Sequence, residues 1–222
     1  MLLKGKTVIV TGAGGALGQA AVKTVEELGG RAIEFDLSFR DEDASRSRFE
    51  IDLTDRAAVE ETVSRIGDFD AVLNIAGGFA MGHDAAGGDD DDWAQMFRLN
   101  VETCRNMVKA AVPVLKKTRG AMVNVGAYAA LSGKPQMGAY VASKAVVMRL
   151  TETLAEELRG EGVNVNAVLP TILDTEANRE AMPDADPANW VSPDHLAAVM
   201  CFLISETAKD VHGALLPVRG LS

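Results

Sequence analysis

The chain is short of the residues that anchor most metal and nucleic-acid sites. Its three histidines, His83, His195 and His212, are scattered with no HxxxH or HExxH spacing, which argues against a zinc site or a nucleophilic triad. The two cysteines, Cys104 and Cys201, fall in helical patterns without ligand spacing. They read as core or interface thiols in a reducing compartment. Lysine and arginine number 22 against 32 aspartates and glutamates, a formal net charge of −10. That balance argues against nucleic acid or an anionic membrane surface as partner. It leaves room for a small anionic ligand, because backbone N–H groups bind phosphate without any lysine. No apolar run approaches the ~18 residues that span a bilayer. The opening MLLKGKTVIVTG is charged too early for a signal peptide and runs straight into a strand pattern. The expectation is a cytoplasmic protein with no metal, whose partner is a small-molecule substrate.

What is present is core-forming sequence: 47% of 222 residues are apolar, enough for one large domain. Short β-branched runs at 6–10, 31–36, 49–53, 70–76, 121–125, 163–169 and 214–218 alternate with helical patterns at 16–28, 54–66, 93–117, 140–159 and 193–205. Thr54 reads as a helix cap, and Pro113 as a bend or a marker of final turns. Strands alternating with helices imply βαβ units with right-handed crossovers. The expected fold class is α/β: a single Rossmann-type, doubly wound domain over 1–222 with a mostly parallel seven-stranded sheet. A ligand belongs at the carboxyl ends of its strands.

Two motifs carry chemistry. TGAGGALG (Thr11 to Gly18) lies between the first strand and the first helix. Gly12, Gly15 and Gly18, with Gly14 as an extra, allow a tight turn and close backbone approach to a pyrophosphate at a helix N-terminus. Asp36 ends the second strand, ~20 residues on, where an acid binds ribose hydroxyls and repels the extra phosphate of NADP. NAD is therefore favoured as cofactor, with Arg40 keeping NADP possible. Tyr140 and Lys144 stand four residues apart in YVASK, about one helical turn, so they share a face. An ammonium beside a phenol lowers the phenol's pKa and makes an acid/base usable near neutral pH. Together these features read as hydride transfer to or from a nicotinamide dinucleotide.

With DLTD (Asp52 to Asp55), NIAGG (Asn74 to Gly78), Asn100 and VNAVLPTILDT (Val165 to Thr175), the chain resembles the short-chain dehydrogenase/reductase family over essentially its whole length. The resemblance implies that Tyr140 is the acid/base, that Lys144 binds the nicotinamide ribose, and that Asn100 holds a relay water. It implies a dinucleotide site made by Gly12, Gly14, Gly15, Ala16, Leu17, Gly18, Asp36, Asp52, Leu53, Asn74, Ala76, Gly77, Tyr140, Lys144, Pro170 and Ile172. It also implies a homodimer or homotetramer, with the helices 93–117 and 140–159 at the interface.

Two positions depart from the family pattern. Ala16 stands where a glycine is usual, with Gly15 one place earlier. Ala127 stands thirteen residues before Tyr140, where a serine usually bonds the substrate oxygen. Loss of such a donor costs ~3 kcal/mol in carbonyl chemistry, and Ser132 is a loop serine five places on. Dihydropteridine reductases within the family share this alanine, the GALG form of the loop, and the LDT, NR, MP, AD and Trp positions of Leu173 to Trp190. Their quinonoid substrate has no single ketone oxygen to stabilise. Phe79 stands where they carry tryptophan and can stack on a flat ring; Asn100 departs from their pattern. The expected function is thus a dihydropteridine-reductase-like NAD(H) oxidoreductase with Phe79 and Ala127 toward the substrate. A general carbonyl reductase or alcohol dehydrogenase, and a non-catalytic dinucleotide-binding protein, are the alternatives. Asp89 to Asp92 read as a solvated helix start, Met137 and Met182 as pocket or core, and 173–192 as a substrate lid.

Overall fold

The alternation of side chains along β1 (Thr7–Thr11) explains the layering. Val8 and Val10 point to one face of the sheet and Ile9 to the other, and all three are fully buried. Both faces of this strand need cover, as in parallel sheets generally. A computed structural model describes residues 1–39, 43 and 45–221; Arg40 lies outside them. The remaining strands are β2 (Arg31–Asp36), β3 (Arg48–Glu50), β4 (Ala71–Asn74), β5 (Ala121–Val125), β6 (Asn164–Pro170) and β7 (Leu215–Val218). They form one sheet in the order β3-β2-β1-β4-β5-β6-β7. Every pairing is parallel, so the sheet is wholly rather than mostly parallel.

On the Val8/Val10 face pack α1 (Ala16–Glu27) and α7 (Pro193–Leu203), through Leu17, Ala21, Val25, Leu196 and Met200. On the Ile9 face pack α2 (Arg56–Ile66), α4 (Thr103–Thr118) and α5 (Gly138–Leu158). They contribute Val59, Val63, Met107, Leu115, Val147 and Leu154. The strand order reverses between β1 and β4, and a crevice opens at that switch point.

Several expected element boundaries move. Asp55, not Thr54, caps α2: its carboxylate accepts from Ala57 N and Ala58 N, while Thr54 bonds Asp52. The expected long helix 93–117 is two helices. α3 (Asp90–Phe97) and α4 are joined by a π-helical turn at Arg98–Glu102. Pro113 lies exposed within the last turns of α4, five residues before its end at Thr118. α5 begins two residues before Tyr140. The segment after β6 contains a short helix, α6 (Glu176–Ala181), and a Leu173–Val191 bridge. Among the described residues no helix is long and apolar enough to cross a membrane.

Phe35 anchors the second face. It is fully buried on β2 and packs edge-on to Phe49 at 5.6 Å. Phe35→Ala should cost about 3–5 kcal/mol in urea unfolding. Leu216→Ala, at a side chain 37% exposed, should stay within about 0.5 kcal/mol.

Candidate active site

The crevice is a cleft of about 1430 Å³ along the carboxyl ends of the strands, and one wall is the glycine loop. Gly12 has φ +65°, and a Cβ there would come within 3.0 Å of the Ala76 backbone. A Cβ on Gly18 would overlap the Gly12 carbonyl, so the first turn of α1 can close on β1 only without one. α1 starts at Gly15 with no side-chain cap, and the residues of its first turn line the cleft. An uncapped helix N-terminus opening on a cleft is suited to an anion. Thr11 ties this loop to the next: its hydroxyl accepts from Ile75 N and Ala76 N at 3.0 and 3.1 Å.

Asp36 lies beside the loop. Its Oδ2 accepts from Gly14 N at 2.8 Å and its Oδ1 from Leu37 N at 2.7 Å. Asp52 and Leu53 continue that wall, and Thr54 hydrogen bonds hold the Asp52 carboxyl below the usual range. Ala76, Gly77, Pro170 and Ile172 line the middle of the cleft, and Tyr140 and Lys144 its other end. A grooved glycine loop, a strand-end carboxylate and a long cleft fit a dinucleotide: Gly12 to Gly18 to its phosphates, Asp36 to a ribose, Lys144 to the nicotinamide half.

Lys144 is buried on α5 and donates to the Val125 carbonyl at 2.9 Å. Burial pushes its pKa down to about 8. Tyr140 is pushed the other way, up to about 12, again by burial. The expected lowering of the phenol by the ammonium is therefore not what the site shows. Desolvation sets the direction at Tyr140, and the Lys144 ammonium is turned to the Val125 carbonyl. At neutral pH Tyr140 is a neutral phenol with a proton to give. Phe79 packs edge-on against it at 4.8 Å.

Asn74 and Asn100 lie behind the wall instead of on it. Asn74 points into the core and donates to Asn124 at 2.8 Å. Asn100 sits in the π turn and is 2% exposed. Its side chain accepts from Gly78 N and donates to Gly78 O and to Ser143 Oγ, at 2.9, 3.1 and 3.0 Å. Ser143 in turn donates to the Tyr140 carbonyl at 2.8 Å. Asn100 thus couples the NIAGG loop to the helix that carries Tyr140, a positioning task. A Cβ on Gly77 would lie 2.5 Å from Asn100 Oδ1 and 3.2 Å from Lys144 Nζ, which accounts for glycine there.

Phe79, Met81, Ala127, Met137 and Met182 give the cleft apolar lining, alongside Tyr128 and Lys134. Ala127 is 3% exposed, and Ser132 is not on the wall. Thr11, Ser143 and the Val125 carbonyl are the contributors that motif reading missed. Ser143 was visible inside YVASK, but the carbonyl carried no sequence signal.

The Lys144 geometry has a stability consequence. Its folded pKa, about 8, lies below the unfolded value of 10.5. The cost of burying the charge is fully present below pH 8 and is relieved as pH rises to 10.5. Two and a half pH units correspond to about 3 kcal/mol, less about 1 for the lost hydrogen bond. Lys144→Met should therefore be roughly 2 kcal/mol more stable than the parent at pH 7. That advantage should vanish, by urea unfolding, as pH passes from 8 to 10.5.

Comparison with known proteins agrees with this geometry. Residues 6–186 match the family model described as short chain dehydrogenase. The chain is 30% identical to meso-2,3-butanediol dehydrogenase of Serratia marcescens, over 99% of this chain and 95% of that one. It is 28% identical to the 3-oxoacyl-(acyl-carrier-protein) reductase FabG of Thermotoga maritima, over 99% and 98%. The fold matches that of ElxO with NADP bound, TM-score 0.90 at 22% identity, over 97% of both chains. A dinucleotide-shaped cleft ending in a tyrosine and a buried lysine, on a chain matched over nearly its full length, makes this protein a member of the short-chain dehydrogenase family and an NAD(P)-dependent oxidoreductase.

Proposed function

We propose that the protein is an NADH-dependent reductase of a flat, conjugated substrate, with quinonoid dihydropterin as the leading candidate. The observation that carries this reading is Ala127. It lines the same cleft as Tyr140 and brings no hydroxyl to a site where ketone reduction gains from a donor to the developing oxyanion. A conjugated ring spreads that charge and needs the donor less. The apolar walls from Phe79, Met81, Met137 and Met182 suit such a ring.

When bound, the reduced dinucleotide supplies the hydride. Tyr140, neutral at pH 7, gives its proton to the substrate atom that becomes basic. Lys144 holds the nicotinamide ribose and, as an ammonium, steadies the phenolate left behind. Asn100 and Ser143 fix the Tyr140 backbone, and Asn100 also fixes Gly78. Asp36 favours NAD, since its carboxylate repels a ribose phosphate. The segment 173–192 serves as the lid: Leu173, Thr175, Asn178, Ala181 and Met182 line the cleft from it. A homodimer or homotetramer through the outer faces of α4 and α5 completes the reading.

A second reading, carbonyl reductase or alcohol dehydrogenase, draws support from relatives whose names are butanediol dehydrogenase and oxoacyl reductase. Substitutions separate the two. Tyr140→Phe should lower kcat by about 10²–10⁴-fold with dinucleotide affinity kept; an unchanged rate contradicts the assigned proton donor. Ala127→Ser should leave dihydropterin turnover within a few-fold and give little ketone activity. A gain on ketones on the order of 10²-fold favours the carbonyl enzyme instead.

A further inference from the structure

The adenosine end of the cleft holds a charge cluster that hydride transfer does not use. Glu34 lies inside β2, 3% exposed, two residues before Asp36 and on the same face of the strand. Two guanidiniums meet its carboxylate: Arg46 Nη1 to Oε1 and Arg48 Nε to Oε2, both at 3.1 Å. Arg48 is the register partner of Glu34 across β2 and β3 and lies over the Phe39 ring at 4.6 Å. Arg46 also meets Asp43 at 3.3 Å. Glu34, Arg46, Arg48 and Phe39 line the same cleft as Asp36 and Gly14.

A buried carboxylate needs a partner, and one arginine would neutralise it. The second guanidinium, Arg46, is shared between Glu34 and Asp43, next to Asp36, the acid that would meet the ribose. Arginine is the side chain best shaped to grip a phosphate through two parallel hydrogen bonds. Here two of them line the same cleft as Asp36, and each gives a hydrogen bond to the buried Glu34 carboxylate.

We propose that Glu34 is a cofactor-specificity residue: by engaging Arg46 and Arg48 it withholds two guanidiniums from the ribose phosphate of NADP. Selectivity for NAD then rests on two carboxylates of one strand. Asp36 repels the phosphate, and Glu34 occupies the groups that would otherwise receive it. The inference rests on the dinucleotide reading of the cleft given above.

The test is calorimetric titration of the full chain with 5′-AMP and with 2′,5′-ADP. Neither ligand requires turnover. The parent should prefer AMP. Glu34→Gln should shift the ratio of affinities toward 2′,5′-ADP by about tenfold, and adding Arg46→Met to it should reverse most of the shift. Arg46→Met alone, which keeps the Glu34–Arg48 contact and tests the idea even if Glu34→Gln misfolds, should leave the ratio within about twofold. An unchanged ratio in a folded Glu34→Gln protein that still binds AMP overturns the inference alone. A loss of 2′,5′-ADP affinity of tenfold or more in Arg46→Met also overturns it, because Arg46 would already be serving the phosphate. Failure of the parent to bind either nucleotide overturns the dinucleotide reading and the inference with it.

Discussion

The site is organised around one buried ammonium. Lys144 lies within a turn of Tyr140 on α5, is seated on the carbonyl that ends β5, and sits beside a glycine that leaves it room. A cation in that position is costly to hold, and several nearby features relate to it. Gly77 has no side chain because Asn100 and Lys144 fill the space. The π turn brings Asn100 inward to bond Gly78 and Ser143. Ser143, next to Lys144 in sequence, locks the first turns of α5 through the Tyr140 carbonyl. A buried cation kept at such a cost is the kind of trade between stability and chemistry that functional sites commonly make.

The parallel sheet puts this arrangement within reach of a long ligand. β1 and β4 end side by side at the switch point, and Thr11 bonds the turn that follows β4. The glycine loop and the NIAGG turn become two lips of one cleft. The strands between them hold the glycine loop at one end and Tyr140 at the other in fixed relation. Carboxylates and guanidiniums gather around Asp36 and Glu34, whereas methionines and aromatic side chains accompany Tyr140 and Lys144.

Much of this was legible in the sequence, for identifiable reasons. The β-branched runs marked all seven strands because both faces of a parallel sheet demand apolar residues. The loop and YVASK announced themselves because their chemistry depends on local spacing. The misses were of another kind. The break at 98–102 depends on where Asn100 must point, which no helical periodicity records. The Thr54 cap failed because Asp55, one residue later, offers a carboxylate while Thr54 is engaged by Asp52. Asn74 was placed on the wall by motif, but strand alternation turns it toward Asn124. The pKa directions at Tyr140 and Lys144 reversed or reshaped the simple pairwise expectation, since desolvation is a property of the whole enclosure.

On the proposed function, the neutral phenol of Tyr140, one helical turn from Lys144, completes hydride transfer to a conjugated ring without a serine donor. The most direct measurement follows NADH absorbance as the unaltered protein meets quinonoid dihydropterin, with simple ketones in parallel. The expected result is NADH consumption matched one to one by tetrahydropterin, at a kcat/KM well above that for any ketone. NADH that binds but is never consumed, or ketones turned over faster than the pterin, would contradict it.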